Sequence, residues 1–143
     1  MGRSYALRFL GLVLALSLVG GAVAQGTAPA TKAAQVRGAK AKNKIEVLKG
    51  TWVRPDGGYT IVIRSIGPNG QLDATYFNPK PLPFAQARAS QEGAKLRAFF
   101  ELRAGGYNGS TYELSYDPAA DRLQGTYYQA VAKQKFHIYF VRK

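Results

Sequence analysis

LKGTWVR at residues 48–54, LDATYFN at 72–78 and LQGTYYQ at 123–129 are three copies of one seven-residue pattern. Each copy runs Leu, any residue, a small residue, Thr, an aromatic ring, an apolar or aromatic residue, and a polar residue. Because side chains two apart in a β-strand share a face, the Leu, the small residue, the ring and the last polar residue lie in line. Alternating small and large residues is typical of the tapering interior of a small barrel. The repeat therefore predicts three strands of one barrel, with these four positions facing inward.

Turn signals divide residues 45–143 into eight segments that alternate in polarity. The predicted strands cover 47–54, 59–66, 71–78, 84–90, 96–103, 111–117, 122–129 and 135–142. The connections, including a stiff Pro79–Pro83 linker, are too short for the dozen or so residues of a crossover helix, which excludes a parallel sheet. We therefore predict an all-β domain that forms an eight-stranded antiparallel up-and-down β-barrel, since closure also removes exposed strand edges. A two-sheet β-sandwich is the alternative architecture.

Composition restricts the chemistry that this chain can perform. It has one His and no Cys in 143 residues, which excludes disulfides, thiolate metal sites and any site that needs two imidazoles. His137 falls on an outward position of the last strand, so we expect a surface residue and not a catalytic base. Glu101 and Glu113 could approach each other as a glycosidase pair does, but ion pairing with Arg97 and Arg103 is the preferred interpretation. The sequence thus predicts a non-enzymatic protein with no catalytic residue, metal or cofactor.

The first 24 residues predict a secretory signal peptide. Arg3 and Arg8 give a positive start, and an apolar run of 11 residues follows at Phe9–Val19. The small residues of Ala22-Val23-Ala24 offer a signal peptidase site before Gln25. A membrane span is the alternative, but it needs roughly 20 apolar residues. We therefore expect an exported protein, periplasmic or extracellular, that is soluble after cleavage.

Residues 25–44 predict a disordered basic linker. Between 27 and 44 the chain has five Lys or Arg residues, no acid and no aromatic ring, so this segment cannot bury enough apolar surface to offset its ordering entropy. It could contact an anionic envelope polymer or a membrane surface, although a solvated linker is the plainer interpretation. The formal net charge of +12 also suggests nucleic acid as a partner. Nucleic acid is not expected, because export removes the chain from the cytosol and eight strands exceed the five of an OB-fold.

The first half of the predicted barrel resembles avidin and streptavidin. The likeness is carried by Leu48-x-Gly50-x-Trp52, Asp56-Gly57-Gly58, Thr60-Ile61, Gly70-x-Leu72-x-Ala74-Thr75-Tyr76 and, later, Leu123-x-Gly125-x-Tyr127. The Gly50-x-Trp52 step, with Arg142 on the last strand, is also similar to the lipocalins, in which such an Arg packs over the first-strand Trp. The meander as a whole is similar to small exported bacterial proteins of unassigned function. These resemblances imply a calycin-type barrel.

Biotin binding does not carry over from the avidin resemblance. Arg54 stands where avidins place an Asn, and Asp56-Gly57-Gly58 stands where their turn has a Ser. Tyr76 does match the ligand-facing Tyr of that family. Trp52 is the one Trp of the chain, so the further Trp residues that line the avidin pocket are missing and its apolar wall is reduced. The resemblance therefore implies the fold and not the ligand.

The predicted ligand site is the barrel mouth where the odd-numbered strands end. The three repeats end there, the even-numbered strands begin beside them, and the seven-residue loop 104–110 closes over the same end. The predicted lining residues are Arg54, Tyr59, Asn78, Phe84, Tyr107, Asn108, Tyr112 and Gln129. Converging polar side chains of this kind are typical of small-molecule sites, although mouth residues are also polar simply because water reaches them.

The charge at this mouth predicts the class of ligand. Arg54 and Arg103 favour a neutral or anionic small molecule and would repel a cation. The opposite mouth should be plugged by Leu48, Leu72 and Leu123. An eight-stranded barrel is just wide enough either to hold one small ligand or to be filled. A filled barrel would instead indicate a structural or interaction protein of the cell envelope. The oligomeric state stays open.

Overall fold

A computed structural model describes residues 44–143. The predicted signal peptide and all but the last residue of the predicted linker lie outside the described residues. A 3-10 helix, Glu46–Leu48, precedes eight strands: β1 Gly50–Val53, β2 Thr60–Ile66, β3 Leu72–Asn78, β4 Lys80–Glu92, β5 Lys95–Leu102, β6 Ser110–Asp117, β7 Arg122–Gln129 and β8 Gln134–Arg142. Each strand pairs with the next, and β1 pairs antiparallel with β8, so the sheet closes. The predicted eight-stranded antiparallel up-and-down barrel is confirmed, and the sandwich alternative is wrong.

The first strand is shorter than the sequence predicted. The expected strand began at 47, but Glu46–Leu48 form a 3-10 helix and β1 has four residues. The indole Nε1–H of Trp52 donates to the Leu48 carbonyl across 2.8 Å, and Gly50 has a φ of +135°. Glycine adopts this conformation without a steric penalty, so the chain can turn from the helix into β1. Leu48 is still fully buried, at the interior position that the repeat predicts.

The predicted Pro79–Pro83 linker is wrong, because β4 already begins within it and spans Lys80–Glu92. Pro81 and Pro83 pair with β3, and pairing with β5 begins only at Phe84. The first four residues of β4 therefore have a neighbouring strand on one side only. Proline, which has no N–H to donate, is tolerated at such edge positions.

Inward side chains fill most of the barrel. The Leu and ring positions of all three repeats are buried, and Trp52 and Leu123 are fully so. The interior contains several large rings, each at most 1% exposed: Trp52, Tyr76, Phe100, Tyr112 and Phe140. Burial of one large apolar side chain stabilises a fold by about 1.5–3 kcal/mol. Within residues 44–143, none of the helical segments has the length and apolar character that crossing a bilayer requires.

Arg142 holds the barrel closed where β8 meets β1. The ladder between these strands has only two residue pairs. The Arg142 guanidinium lies 4.2 Å from the Trp52 ring centroid, and it donates to the carbonyls of Lys49 at 2.7 Å and Val47 at 2.9 Å. It also forms an ion pair with Asp121 at 2.7 Å. One side chain on β8 thus binds the 3-10 helix, the first strand and the β6–β7 turn.

Candidate functional site

A cavity of about 240 Å³ opens at the mouth where the odd-numbered strands end. Its walls are mainly aromatic. The Tyr59 and Tyr76 rings lie within 9° of parallel with centroids 6.2 Å apart, and the Tyr112 and Tyr127 rings stack at 4.6 Å. The lining residues are Arg54, Tyr59, Tyr76, Tyr107, Tyr112, Tyr127, Gln129 and Phe136. Flat ring faces of this kind suit a planar ligand group.

The structure places most of the sequence-predicted site residues in or beside this cavity. Asn78 does not line the cavity itself, but its Nδ2–H donates to the hydroxyl of Tyr107, which does. Phe84 lies behind the wall, with its ring centroid 6.0 Å from that of Tyr76. Asn108 is exposed and does not line the cavity, because the loop contributes Tyr107 instead. The predicted residues that do line it are Arg54, Tyr59, Tyr107, Tyr112 and Gln129.

Three lining residues are absent from the predicted set: Tyr76, Tyr127 and Phe136. Tyr76 enters the sequence prediction only as the match to the ligand-facing Tyr of the avidins. Tyr127 is the ring position of the third repeat, which the sequence argument assigned to packing. Phe136 pairs directly with Tyr127 across the β7–β8 ladder, and the two ring centroids are 6.2 Å apart. Pairing the predicted inward positions of these strands, outward from their shared turn, would have found both residues.

Arg54 places a positive charge in the cavity wall. Its guanidinium lies 4.7 Å from the Tyr59 ring centroid and 6.0 Å from that of Tyr127. Its Nε and Nη2 donate to the Asp56 carboxylate at 2.6 and 2.8 Å, and this hydrogen bonding lowers the pKa of Asp56. The Arg54 side chain is 14% exposed and that of Asp56 is 59% exposed. The cation therefore faces the cavity while its counter-ion lies toward solvent.

Arg103 does not add to this charge, contrary to the sequence expectation. Its side chain is 69% exposed, and its Nε lies 2.8 Å from Glu101 Oε1. The guanidinium is thus held on the outer surface by a neighbour two residues away. Glu101 does pair with Arg103, but as a neighbour two residues along the chain and not across strands as expected, and Arg97 pairs with Glu92 instead. The predicted contribution of Arg103 to the mouth is wrong.

Tyrosine hydroxyls form an uncharged floor beneath the opening. The hydroxyls of Tyr76 and Tyr112 lie 3.2 Å apart. Burial raises the pKa of Tyr76 and raises that of Tyr112 to about 12; it also raises the pKa of Tyr127. A neutral phenol both donates and accepts a hydrogen bond. The floor can therefore bind the polar edge of a ligand without placing a negative charge against it.

The opposite mouth is closed. Leu48, Leu72 and Leu123 lie at that end and are at most 5% exposed. Phe140, which pairs with Leu123 across β7 and β8, and Phe100 are both 0% exposed and fill the interior. The cavity is consequently a shallow pocket at one end of a filled barrel.

A larger groove, of about 570 Å³, lies on the outer surface of β4–β7. Outward-facing side chains such as Arg88, Phe99 and Glu113 line it. We place the candidate site at the mouth instead, because side chains from both halves of the closed sheet converge there on one cavity.

The titratable side chains of the described residues do not form a metal-ligand cluster. No group of three or more His, Cys, Asp or Glu side chains in residues 44–143 could hold a metal ion, and His137 is exposed on the outer face of β8.

No protein-family model matches the chain, and no curated protein or solved structure matches it either.

Proposed function

We propose that this protein is an exported, non-enzymatic binding protein whose open barrel mouth takes one small planar ligand, neutral or anionic. The observation that carries the proposal is the cavity of about 240 Å³ at that mouth. Pockets that enclose a drug-sized molecule measure about 300–1,000 Å³. The ligand is therefore smaller than such a molecule, or only one of its groups enters the cavity.

The charge of the cavity supports the proposed ligand class. Arg54 is the one charged side chain among the lining residues, and Asp56, its counter-ion, points to solvent. A ligand carboxylate or carbonyl would meet the guanidinium and the neutral tyrosine hydroxyls. A ligand cation would meet the guanidinium first, because its carboxylate partner Asp56 lies outside the wall, toward solvent.

The proposal also covers the family and the location of the protein, and each is supported by a different observation. The closed eight-stranded barrel is consistent with a calycin-like fold, and the Arg142–Trp52 contact favours the lipocalin resemblance over the avidin one.

Export is tested by N-terminal sequencing of protein recovered from the envelope or medium, which should begin at Gln25. A mature chain in the cytosol that still begins at Met1 would contradict the export proposal.

Three isosteric probes that differ in charge test the binding proposal: benzoate, benzamide and benzamidinium. Each would be titrated into the full chain and followed by NMR of the tyrosine rings. Benzoate and benzamide should shift the signals of Tyr59, Tyr107 and Tyr127, and benzamidinium should leave them unchanged. If none of the probes shifts these signals, or if benzamidinium binds best, the proposed ligand class is wrong.

A matched pair of variants locates the binding. Arg54→Gln removes the cation of the cavity wall, and Arg88→Gln removes a cation from the outer groove. Arg54→Gln should weaken benzoate binding roughly tenfold and benzamide binding less, because a charged hydrogen bond is lost only for the carboxylate. Arg88→Gln should change neither. Equal effects of the two substitutions would place the binding outside the mouth.

The filled interior favours one other candidate function, that of a structural or interaction protein of the envelope. Tyr76, Tyr112 and Phe140 are each at most 1% exposed, so little of the barrel is left for a ligand. This candidate predicts that no small molecule stabilises the barrel. It also predicts that substitutions inside the mouth affect stability alone.

A further inference from the structure

The turn between β7 and β8 exposes apolar surface at the same mouth. Val131 is 69% exposed and Phe136 is 41% exposed. The backbone N–H of Lys133 donates to the Ala130 carbonyl across 3.3 Å, which closes the turn and leaves Val131 at its tip. Phe136 also forms part of the cavity lining. The most accessible large apolar side chain of the described residues thus lies beside the cavity opening.

Lysines without an ion-pair partner lie on two sides of this mouth. None of them has a carboxylate within 4.0 Å in the part of the chain that the structure describes. Strand direction places one at the start of β4 and two in the β7–β8 hairpin. They are Lys80, Lys133 and Lys135.

The acidic residues at this mouth do not offset these lysines. In residues 44–143, the acids nearest the mouth by strand direction are Asp56 and Glu101. Glu113 has no ion-pair partner among the described residues, but it is the fourth residue of β6 and lies further from the rim. Asp56 is paired with Arg54 and Glu101 with Arg103. The lysine charges are therefore available to an anionic partner.

The apolar side chains of this mouth decide between two anionic partners, a lipid surface and a soluble polyanion. At a membrane interface, apolar side chains enter the region between headgroups and acyl chains while lysines contact anionic headgroups. A soluble polyanion would bind the lysines but would gain nothing from Val131. The combination of exposed apolar and cationic side chains at one mouth favours a membrane.

We propose that the open rim, defined as Lys80, Val131, Lys133, Lys135 and Phe136, docks the barrel mouth-first on an anionic lipid surface. Val131 enters the interface, the lysines contact the headgroups, and the closed end points away from the membrane. This docking does not require that the cavity hold a ligand.

Sedimentation of the full chain with vesicles tests the docking. The vesicles mix phosphatidylglycerol with phosphatidylcholine, and vesicles of phosphatidylcholine alone serve as the uncharged reference. The double variant Lys133→Glu/Lys135→Glu should bind the mixed vesicles roughly tenfold more weakly than the unmodified chain, or worse. Lys95→Glu/Lys143→Glu makes the same charge change at the closed end and should bind much more tightly than the rim variant. Equal binding by the two double variants would overturn the proposal.

Insertion is tested separately by fluorescence. Brominated acyl chains should quench the tryptophan emission of the Val131→Trp variant. They should not quench the emission of the unmodified chain, because its Trp52 is 0% exposed. Emission that is equally insensitive in both proteins would overturn the proposed orientation.

A soluble polyanion is the remaining outcome, with inorganic polyphosphate as the probe. If Val131→Asp binds vesicles as the unmodified chain does, while the rim lysine variant loses both vesicles and polyphosphate, the rim is a polyanion site and membrane docking is wrong. Benzoate binding to the rim lysine variant keeps the two proposals apart. It should be unchanged if the cavity binds ligand independently of the rim.

Discussion

Arg142 shows how much of the closure of the barrel rests on one side chain. Its guanidinium contacts the Trp52 ring, two backbone carbonyls and Asp121. A hydrogen bond to a charged group is worth about 1.5–3 kcal/mol, and a cation–π contact about 0.5–2 kcal/mol. These contacts overlap, so Arg142→Ala should lower the free energy of unfolding by about 2–4 kcal/mol in urea denaturation.

Arg97→Ala is the control for that prediction. Arg97 pairs with Glu92 on the surface, where the two side chains are 52% and 64% exposed. Such pairs contribute about 0–1 kcal/mol. Similar losses from Arg97→Ala and Arg142→Ala would mean that Arg142 does not hold the barrel closed.

The buried phenol of Tyr112 should make the free energy of unfolding depend on pH in the alkaline range. Its pKa is about 12 in the folded chain and about 10 in the unfolded chain. Below pH 10 both states hold the proton, so the stability is fully present. As the pH rises through 12, the unfolded chain has already lost its proton and the stability is lost. The free energy of unfolding should therefore decline over this interval, and less steeply in Tyr112→Phe. Phenolate absorbance that shows every tyrosine of the folded chain ionising near its ordinary pKa would contradict this.

β7 lies close against β6 at Gly125, the small residue of the third repeat. A Cβ added at Gly125 would lie 2.0 Å from the Glu113 carbonyl oxygen, so Gly125→Ala must separate the two strands. The expected loss is about 2–3 kcal/mol, measured by thermal unfolding. Gly67→Ala is the matched control, because a Cβ there meets Gln71 at an ordinary 3.5 Å. Equal losses at the two glycines would show that close packing of β6 against β7 is not needed.

The elements also show what the sequence could predict. β7 was predicted at 122–129 and lies there, because a strict alternation is bounded by a turn at each end. The 3-10 helix was missed because Leu48, which is fully buried, also fits the inward position that the repeat predicts for an extended strand. The start of β4 was missed because tolerance of proline depends on which strands lie beside it, which only the closed sheet determines.

In the candidate site, the residues on strands could be predicted from the sequence and the loop residue could not. Arg54 and Gln129 line the cavity because strand direction and the two-residue period place them there. Asn108 does not, because its loop depends on Gly105, Gly106 and Gly109, which have φ values of +64°, +85° and +76°. Such a glycine-rich loop has no period from which side-chain direction could be derived.

The whole molecule has two unlike ends. The closed end is held by Arg142 and plugged by leucines, and the open end combines an aromatic cavity with an exposed rim. A ligand that binds only the folded state should raise the melting temperature in proportion to the logarithm of its concentration above Kd. The rise should be abolished by substitutions at the mouth and unaffected by those on the outer groove.

Native mass spectrometry of the protein, purified from its own host without denaturation, tests the central claim most directly. The unmodified chain should carry a small-molecule mass in addition to its own. Gln129→Trp, which fills the cavity, should lose that mass, and Ser90→Trp, which places the same ring in the outer groove, should keep it. A bare mass in all three proteins, or an adduct that survives in Gln129→Trp and disappears in Ser90→Trp, would contradict a ligand site at the barrel mouth.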